Sequence, residues 1–476
     1  MLDPIQVAVF VGITALIGFL TYLKCRRASA GDRGSGHDYF LANGGLTWYF
    51  VAGSITLTNL STDQLVGMNG NQMLLLAWWE LAAVMGLLIL AFVFLPVYYR
   101  NNCTTTTELL QKKYGDKHIR ALISLLFLLG NIFIFLPAVL YGGSLFLKTM
   151  FDLDVPLMAI ALALAVVGAA YAVLGGLRAV AVSDTYSGVL ILSLALLLVY
   201  LALKAIDFDL SGIPSERLSM IGDNDSPIPW HTLLTGMIFI QTFYWSTNQT
   251  ITQRAMAAPN LKEARKGVLA AAGIRLAIVP VIVTLPGVVA FKLYGDINDA
   301  AYGRLVGDLL PGWLSGAFAA AMAAALLTTF NSILNASAAL YVCDIHEAYL
   351  GRSQRVPVLS GVVSVVLAVV GLSLVPVYMA EESLINILQE RYGFLSMPIL
   401  SVFIVGLLFK NVDAKAAIIG VVSGVALYGY LTLVLQPFHY IHCMFATLVF
   451  CVLISLLVNR VLFNRRAALT LGTAAG

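Results

Sequence analysis

The sequence predicts an all-α membrane protein built from two inverted repeats with discontinuous helices. Three observations support this prediction: an apolar composition, a series of apolar runs long enough to cross a bilayer, and two polar interruptions that echo each other five runs apart. Apolar residues make up 60% of the 476 residues and charged residues 11%, against about 45–50% and about 25% in soluble proteins. Because such a composition cannot supply a water-facing surface, we expect lipid to surround the chain.

Hydropathy predicts about 13 transmembrane helices, since lipid offers backbone groups no hydrogen-bond partners and each apolar run reaches about 20 residues. The predicted spans are residues 4–24, 47–68, 75–99, 119–148, 156–174, 181–204, 231–252, 267–292, 309–343, 356–379, 383–408, 414–435 and 439–462. We expect one transmembrane domain over residues 1–476, with the following parts: an extra first helix and inner loop at 1–46, a first repeat at 47–204, a second repeat at 231–408, and two extra helices at 414–462.

The basic residues place the amino terminus outside and the carboxyl terminus inside. With this orientation, 21 of the 28 Lys and Arg residues fall on one side of the membrane, as the positive-inside rule requires. The opposite loops carry the acidic runs around residues 152–154, 207–225 and 381–382. A net charge of only +3 offers no field for nucleic acid, so we expect no nucleic-acid partner.

Span 2 is unusually polar for a helix in lipid. Between Ser54 and Gln64 it concentrates hydroxyl, amide and carboxyl side chains. These side chains offer the backbone alternative hydrogen-bond partners and loosen the helical ladder, so we expect a broken helix that faces a cavity. An ordinary polar face between packed helices is the alternative interpretation.

Span 7 contains a comparable polar stretch, in which Ser246-Thr247-Asn248-Gln249 nearly repeats Ser61-Thr62-Asp63-Gln64 of span 2. The two stretches lie five spans apart and therefore cross the membrane in opposite senses. Paired interrupted segments in corresponding positions indicate an inverted repeat with a binding site between its halves. Spans 2–6 and 7–11 are the two predicted repeats.

Span 9 follows a run of small residues with hydroxyls on one helical face. These residues are Ala325, Thr328, Thr329 and Ser332, spaced i, i+3, i+4 and i+7. Hydroxyl oxygens beside the freed carbonyls of a broken helix suit a hard monovalent cation. A small-residue packing stripe with satisfied hydroxyls is the alternative.

A few charged side chains lie at membrane depth, where each costs several kcal/mol unless it lines a cavity or has a partner. They are Asp63 in span 2, Glu80 in span 3, Asp184 in span 6, Arg275 in span 8, and Glu390 with Arg391 in span 11. Glu80 and Arg275 predict either a polar pocket or a structural ion pair. Asp184 lies near the inner end of its span, where an interfacial carboxylate or a partner for Arg178 is the alternative to a cation ligand.

Taken together, these segments resemble the sodium/solute symporter family, which includes sodium–galactose and sodium–sialic acid transporters, and are most similar to predicted bacterial sugar symporters. The resemblance runs from about residue 38 to residue 435, and its matching stretches are Asn59–Gly67, Gly175–Val180 with Asp184-Thr185, Tyr244–Gln249 with Gln253-Arg254, and the span 9 run. It implies a LeuT-like five-plus-five inverted repeat, with one helix added before it and two after it.

The resemblance also implies roles for individual residues. A main sodium site would use the carbonyls of Leu57, Leu60 and Ala325 with the hydroxyls of Thr328 and Thr329. A possible second sodium site would use Asp184, Asn331 and Ser332, although Asn331 stands where some members have a hydroxyl. Because of that departure, we expect one sodium per cycle.

The solute contacts implied by the resemblance are Asn59, Gln64, Glu80, Gln241, Arg275 and Gln389, with Tyr244 as an inner gate. Amides, a carboxylate and a guanidinium beside aromatic rings suit a sugar, which exposes hydroxyls and an apolar ring face. Because Arg275 and Gln241 depart from the galactose transporter's pattern, the sugar's identity cannot be carried over. Sialic acid, another organic anion or an amino acid remains the alternative, since Arg275 can pair with a carboxylate when Glu80 is otherwise engaged.

The expected function is sodium-coupled import of a small polar solute by alternating access, in a bacterial inner membrane. We expect no cofactor besides the coupling ion, no enzyme activity and no obligate protein partner; the chain has no GxxxxGK[ST] nucleotide-binding loop. A membrane-embedded transferase is one rival, but the sequence has no HExxH motif and its six His residues are scattered. A non-transporting sensor is the other.

Overall fold

The computed structural model describes residues 3–26, 41, 44–60, 62–351, 355–381 and 383–470, except for the side chains of residues 21–22, 24–26, 171–182 and 184. The helices of this part are α1 (Pro4–Arg26), α2 (Trp48–Asn59), α3 (Thr62–Gly70), α4 (Leu74–Arg100), α5 (Thr106–Tyr114), α6 (Lys117–Met150), α7 (Leu157–Ala205), α8 (Ser215–Leu218), α9 (Gly236–Ser246), α10 (Gln249–Met256), α11 (Leu261–Tyr294), α12 (Ala301–Leu309), α13 (Gly312–Tyr349), α14 (Val356–Met379), α15 (Leu384–Leu408), α16 (Ala414–Leu435) and α17 (Tyr440–Val461). Two short strands, β1 (Phe409–Lys410) and β2 (Ala468–Leu469), pair antiparallel.

Both predicted interruptions are present. The first helix of the predicted first repeat ends at Asn59, and Leu60 leaves the helical region with φ −88° and ψ 67° before α3 begins at Thr62. The corresponding helix of the second repeat ends at Ser246, and Asn248 is extended, with φ −67° and ψ 121°, before α10 begins at Gln249. Nine helices of the described part are long and apolar enough to cross a membrane.

One segment differs from its predicted form. Separate spans at 156–174 and 181–204 were expected with Arg178 in a loop, whereas helix is continuous over the 49 residues of α7. A straight helix of this length would measure about 74 Å, more than twice a hydrocarbon core of about 30 Å. Gly168 lies against Phe330 and Gly188 against Leu57. Phe330 belongs to α13 and Leu57 to α2, so both halves of α7 pack against these central helices.

The centre of the protein is α13, which is almost wholly enclosed by other helices. Its small residues from Ala319 to Ala325 allow this, because they let neighbouring backbones approach closely. The peripheral helix α14 instead exposes valines such as Val362 and Val369 on its outer face. The polar breaks of α2/α3 and α9/α10 lie beside α13 and are therefore in the protein interior.

Candidate transport site

The two broken helices and the helices α4, α6 and α15 enclose a cavity of about 50 Å³. Its lining residues are Asn59, Asp63, Gln64, Met68, Trp79, Glu80, Phe135, Ile240, Gln241, Tyr244, Trp245, Ile385, Leu388, Gln389 and Tyr392. Six of the seven residues expected at the solute pocket and its gate are among them; Arg275 is the exception. Six of the predicted residues therefore lie together at one cavity, although they come from segments more than 300 positions apart in the sequence.

Arg275 lies behind Glu80 and holds it in position. One terminal nitrogen of Arg275 donates to Glu80 Oε2, and the other donates to the Thr56 carbonyl oxygen at 3.1 Å. Gln64 Nε2 donates to the second carboxylate oxygen of Glu80. The guanidinium carbon also lies 4.4 Å from the centre of the Trp245 ring. Arg275 is fully buried. Its charge is compensated by the Glu80 carboxylate and by this cation–π contact, so it is not presented to the cavity.

Asn59 occupies the end of α2, between the ion pair and the aromatic wall. With its amide oxygen towards Arg275, it accepts from both terminal guanidinium nitrogens at 3.0 Å, and its nitrogen then donates to the Tyr244 hydroxyl at 2.5 Å. The ring of Tyr244 lies 6.0 Å from that of Tyr392 and 6.4 Å from that of Phe135. Tyr244 therefore lines the cavity as part of an aromatic group; its role as an inner gate stays a prediction.

Gln241 lines the cavity, but protein groups already satisfy its amide. Its nitrogen donates to the Trp79 carbonyl oxygen at 3.0 Å, and its oxygen accepts from the Trp245 indole at 2.9 Å. These bonds fix the two tryptophans that flank the pocket. Gln389, one helical turn before Tyr392 on α15, completes the polar lining.

The residues expected at the main sodium site are all buried: Leu57, Leu60, Ala325, Thr328 and Thr329. The Thr329 hydroxyl lies 3.4 Å from the carbonyl oxygen of Thr58, so the hydroxyl face of α13 adjoins the break after α2. The Thr328 hydroxyl donates to the Ala325 carbonyl at 3.1 Å. The last carbonyls of a helix have no partner within it. Carbonyl oxygens from the end of α2 and hydroxyl oxygens of α13 therefore lie close together at this break.

The residues of the expected second sodium site have a different environment. The Ser332 hydroxyl donates to the Thr328 carbonyl at 2.5 Å and accepts from the guanidinium of Arg254. Arg254 is fully buried and also donates to the Ser54 hydroxyl at 2.8 Å. The amide of Asn331 is buried without a hydrogen-bond partner among the described residues. The side chain of Asp184 lies outside the described residues, so the structure does not locate this member of the set.

Sequence reasoning missed the aromatic part of the pocket, namely Trp79, Trp245, Phe135 and Tyr392. A helical spacing from Gln389 to Tyr392 is a signal that could have identified the last of these. It also missed Arg254, whose burial depends on contacts with Ser54 and Ser332 from two distant helices, for which the sequence carries no local signal.

Comparison with known proteins agrees with this geometry. The model of the sodium:solute symporter family matches residues 39–424. The chain is 32% identical to the Escherichia coli symporter YidK, over 96% of this chain and 84% of that protein. It is 30% identical to the sodium/glucose cotransporter of Vibrio parahaemolyticus, over 95% of this chain and 89% of that protein.

Among solved structures, the chain resembles a substrate-bound, outward-open Na+-coupled sialic acid symporter. The TM-score is 0.82 at 18% identity, covering 96% of this chain and 98% of that chain, which establishes a shared LeuT-like fold. The matching motifs, the two broken helices and the extent of the family match agree with one another. The chain belongs to the sodium:solute symporter family and is a multi-pass, sodium-coupled symporter, not an enzyme.

Proposed function

We propose that the protein imports a neutral sugar or cyclic polyol together with sodium. The observation that carries this proposal is the buried ion pair of Arg275 and Glu80, which leaves no guanidinium in the cavity lining. The carboxylate that does line the cavity beside the pair is Asp63. The described lining residues present no positively charged side chain to an anionic solute, because Arg275 stands behind Glu80, so the geometry favours a neutral solute over sialic acid or another anion.

The groups around the cavity suit a sugar in two ways. Gln64, Glu80 and Gln389 offer amide and carboxylate atoms to solute hydroxyls, while Trp79 and Tyr392 offer aromatic faces to an apolar ring face. The names of two relatives point the same way, because one is a sodium/glucose cotransporter and another, from Homo sapiens, is a sodium/myo-inositol cotransporter. That human protein is 30% identical over 91% of this chain.

The cavity is much smaller than such a solute. At about 50 Å³ it is well below the roughly 300–1,000 Å³ of a typical ligand pocket. Solute entry therefore requires α15 and the broken helices to separate. Opening on the Tyr244 side, towards the predicted cytoplasm, would release the solute inward, so we assign Tyr244 to the inner gate.

Sodium would bind where α2 ends against α13, between the carbonyls of Leu57, Leu60 and Ala325 and the hydroxyls of Thr328 and Thr329. Asn59 contacts the solute pocket two residues after Leu57, so an ion at this place orders the same turn that forms the pocket. This shared turn is the physical basis of coupling. With one charge moved per cycle, a membrane potential supplies roughly 2.3 kcal/mol per 100 mV.

We further propose a stoichiometry of one sodium ion. The Ser332 hydroxyl, which belongs to the ligand set expected for a second ion, already donates to the Thr328 carbonyl and accepts from Arg254. It is therefore engaged within the protein and is not offered to an ion. The location that fits this function is a bacterial inner membrane, where an inward sodium gradient drives uptake.

The test is a counterflow panel in proteoliposomes, with labelled glucose, galactose, myo-inositol, sialic acid and proline, each with and without sodium. We expect sodium-dependent exchange of a neutral sugar or polyol and none of sialic acid. Exchange of sialic acid alone would contradict the assignment of a neutral solute. Gln64→Ala should abolish sugar binding while sodium still protects the protein against heat; equal loss of both would indicate misfolding.

A further inference from the structure

The proposed transport function leaves one feature of the sequence unused, the charged residue Arg391 at membrane depth on α15. It borders a second cavity, of about 310 Å³, between α6, α14 and α15. The remaining lining residues are hydrophobic or aromatic: Leu129, Phe133, Ile134, Leu374, Val377, Tyr378, Phe394 and Leu395. This cavity is several times larger than the solute cavity, and its lining is unsuited to a sugar.

The second cavity opens towards the bilayer. Phe133 and Val377 are 51% and 45% exposed at its mouth, and in a membrane protein such surfaces face lipid. Tyr378 closes the inner wall, because its hydroxyl donates to the carbonyls of Phe133 and Ile134 at 3.0 and 3.1 Å. Those carbonyls belong to a π-helical turn of α6, Asn131–Phe135, which widens the helix at this point. The cavity is therefore a formed groove in the lipid-facing surface.

A pair of opposite charges stands at one end of this groove. Arg391 donates to the Glu381 carboxylate at 3.0 Å, and the two side chains are 31% and 35% exposed. Glu381 precedes the first turn of α15, so this pair stands near the amino-terminal end of that helix, and the guanidinium carbon of Arg391 lies 5.2 Å from the centre of the Tyr378 ring. Partial exposure leaves donor atoms of Arg391 and acceptor atoms of Glu381 available to a third group.

These features match a phospholipid that carries both charges. We propose that this groove binds phosphatidylethanolamine, with an acyl chain along the apolar lining, the phosphate on Arg391 and the ammonium group on Glu381. A guanidinium suits phosphate because it presents paired donors, and a carboxylate suits an ammonium group because it accepts charged hydrogen bonds. An anionic lipid would satisfy Arg391 but would bring a further negative charge to Glu381.

The groove also shares its walls with the transport site. On α15, Leu388, Gln389 and Tyr392 line the solute cavity, whereas Arg391, Phe394 and Leu395 line the groove. On α6, Phe135 faces the first cavity and the residues just before it face the second. A lipid seated in the groove therefore packs against the same helices that must move to admit the solute, and its presence alters the rate of transport.

The test measures lipid retention by purified protein from Escherichia coli membranes. We expect about one phosphatidylethanolamine per chain after mild detergent purification, and about tenfold less in Arg391→Gln, since a charge-assisted bond is lost. Val377→Trp should give a similar loss, because the indole fills the mouth of the groove. Val366→Trp, an equally lipid-facing change three turns earlier on α14, should retain the lipid.

A second measurement compares solute uptake in vesicles of phosphatidylethanolamine and phosphatidylglycerol with uptake in vesicles of phosphatidylcholine and phosphatidylglycerol at the same charge. The native protein should respond to this exchange, and Val377→Trp should not. Unchanged retention in both Val377→Trp and Arg391→Gln, preferential retention of phosphatidylglycerol, or no retained lipid would each overturn the proposal. Retention is independent of the solute, so these outcomes do not depend on the proposed transport function.

Discussion

The two helix interruptions begin with similar residues but are stabilised in different ways. At the second interruption, the Asn248 side chain accepts from the Thr250 amide at 2.9 Å and donates to the Tyr392 hydroxyl at 3.0 Å. The Thr247 hydroxyl donates to the Phe243 carbonyl at 2.7 Å. The Ser246 carbonyl accepts from the Tyr98 hydroxyl at 2.8 Å, and the Ser246 hydroxyl donates to the Gly86 carbonyl at 3.1 Å. Polar groups at this break are therefore satisfied by a helix cap and by bonds to neighbouring helices.

At the first interruption, two hydroxyls have no partner among the described residues and lie beside oxygen atoms of another helix. The Thr56 carbonyl accepts from both the Leu60 amide and Arg275, and the Thr58 carbonyl faces the Thr329 hydroxyl of α13. The hydroxyls of Thr56 and Thr58 have no hydrogen-bond partner in the described part of the chain. A break whose polar groups are hydrogen-bonded within the protein can act as a hinge without a ligand, whereas one that leaves hydroxyls without a partner beside oxygen atoms of a second helix would be completed by a cation. We therefore assign ion coupling to the first break and solute gating to the second.

The most severe test removes the charge that supports the first break. Arg275→Met leaves Glu80 buried without its cation, and breaking a buried ion pair costs about 3–5 kcal/mol. We expect a large drop in the thermal unfolding midpoint in detergent and a loss of uptake of about 100-fold or more, since about 2.7 kcal/mol is a factor of 100. The measurements are a thermal melt and initial uptake rates in proteoliposomes.

A double variant separates stability from transport in this test. Glu80→Leu combined with Arg275→Met removes both charges, so the melting point should recover while uptake stays absent. Arg304→Met, which breaks an exposed ion pair with Asp308, is the matched control and should change stability by less than about 1 kcal/mol. Normal uptake in the double variant would show that the pair is structural only.

The second test weakens the proposed sodium site. Thr328→Ala or Thr329→Ala removes one ligand oxygen, and we expect the sodium concentration at half-maximal uptake to rise about tenfold, the equivalent of about 1.4 kcal/mol. Serine at either position keeps the oxygen and should preserve sodium dependence. Thr242→Ala removes a hydroxyl that bonds within α9, away from the first break, and serves as the control. Unchanged sodium dependence in both alanine variants would remove the basis for placing the ion there.

The third test addresses the second break and should have a smaller effect. Asn248→Ala removes the cap of α10, which is worth about 0.5–2 kcal/mol. We expect uptake to fall about fivefold, with the sodium concentration at half-maximal uptake unchanged. Tyr392→Phe removes only the hydroxyl that accepts from Asn248 and should reproduce part of the loss. A tenfold shift in sodium dependence in Asn248→Ala would contradict the division of roles between the breaks.

The sequence predicted both breaks correctly because each is marked by adjacent polar residues in an otherwise apolar run. It also predicted which polar side chains meet at the cavity, since the family resemblance aligns Gln64, Gln241 and Gln389 to one place. It could not predict that Arg275 stands behind Glu80, because the order of two opposite charges around a cavity depends on the packing of Trp245 and Thr56 against the guanidinium.

Other features depend on contacts between distant segments, which the local sequence does not indicate. Arg254 follows a polar run near the end of its helix, and only the approach of α2 and α13 makes it a buried donor to Ser54 and Ser332. The continuous helix of α7 was missed because Arg178 and the neighbouring glycines indicate a loop. Asp299 also attracted no attention, since an acidic residue in a predicted outer loop is expected to be solvated.

The last and mildest test concerns Asp299, which lies where the second half of the first broken helix ends. Asp299 is buried against Gly70, the final residue of α3, and its Oδ2 accepts from the Leu384 amide at the start of α15 at 2.9 Å. Burial raises the pKa of Asp299 from its usual 3.8 to about 7, while the bond from Leu384 opposes this shift. A contact of this kind is absent from the ends of the second broken helix among the described residues.

The sign of the pH effect follows from proton binding. Between pH 3.8 and about 7 the unfolded chain releases this proton while the folded chain retains it, so this group's contribution to stability falls as pH rises and levels off above about 7. We expect the thermal unfolding midpoint of the native protein to decrease by a few degrees across this range, and Asp299→Asn, which can still cap α15, to lose that slope. Melts at pH 5 and pH 8 on both proteins measure it. An identical slope in Asp299→Asn would mean that another group carries the pH dependence and that the outer end of α3 is held by packing alone.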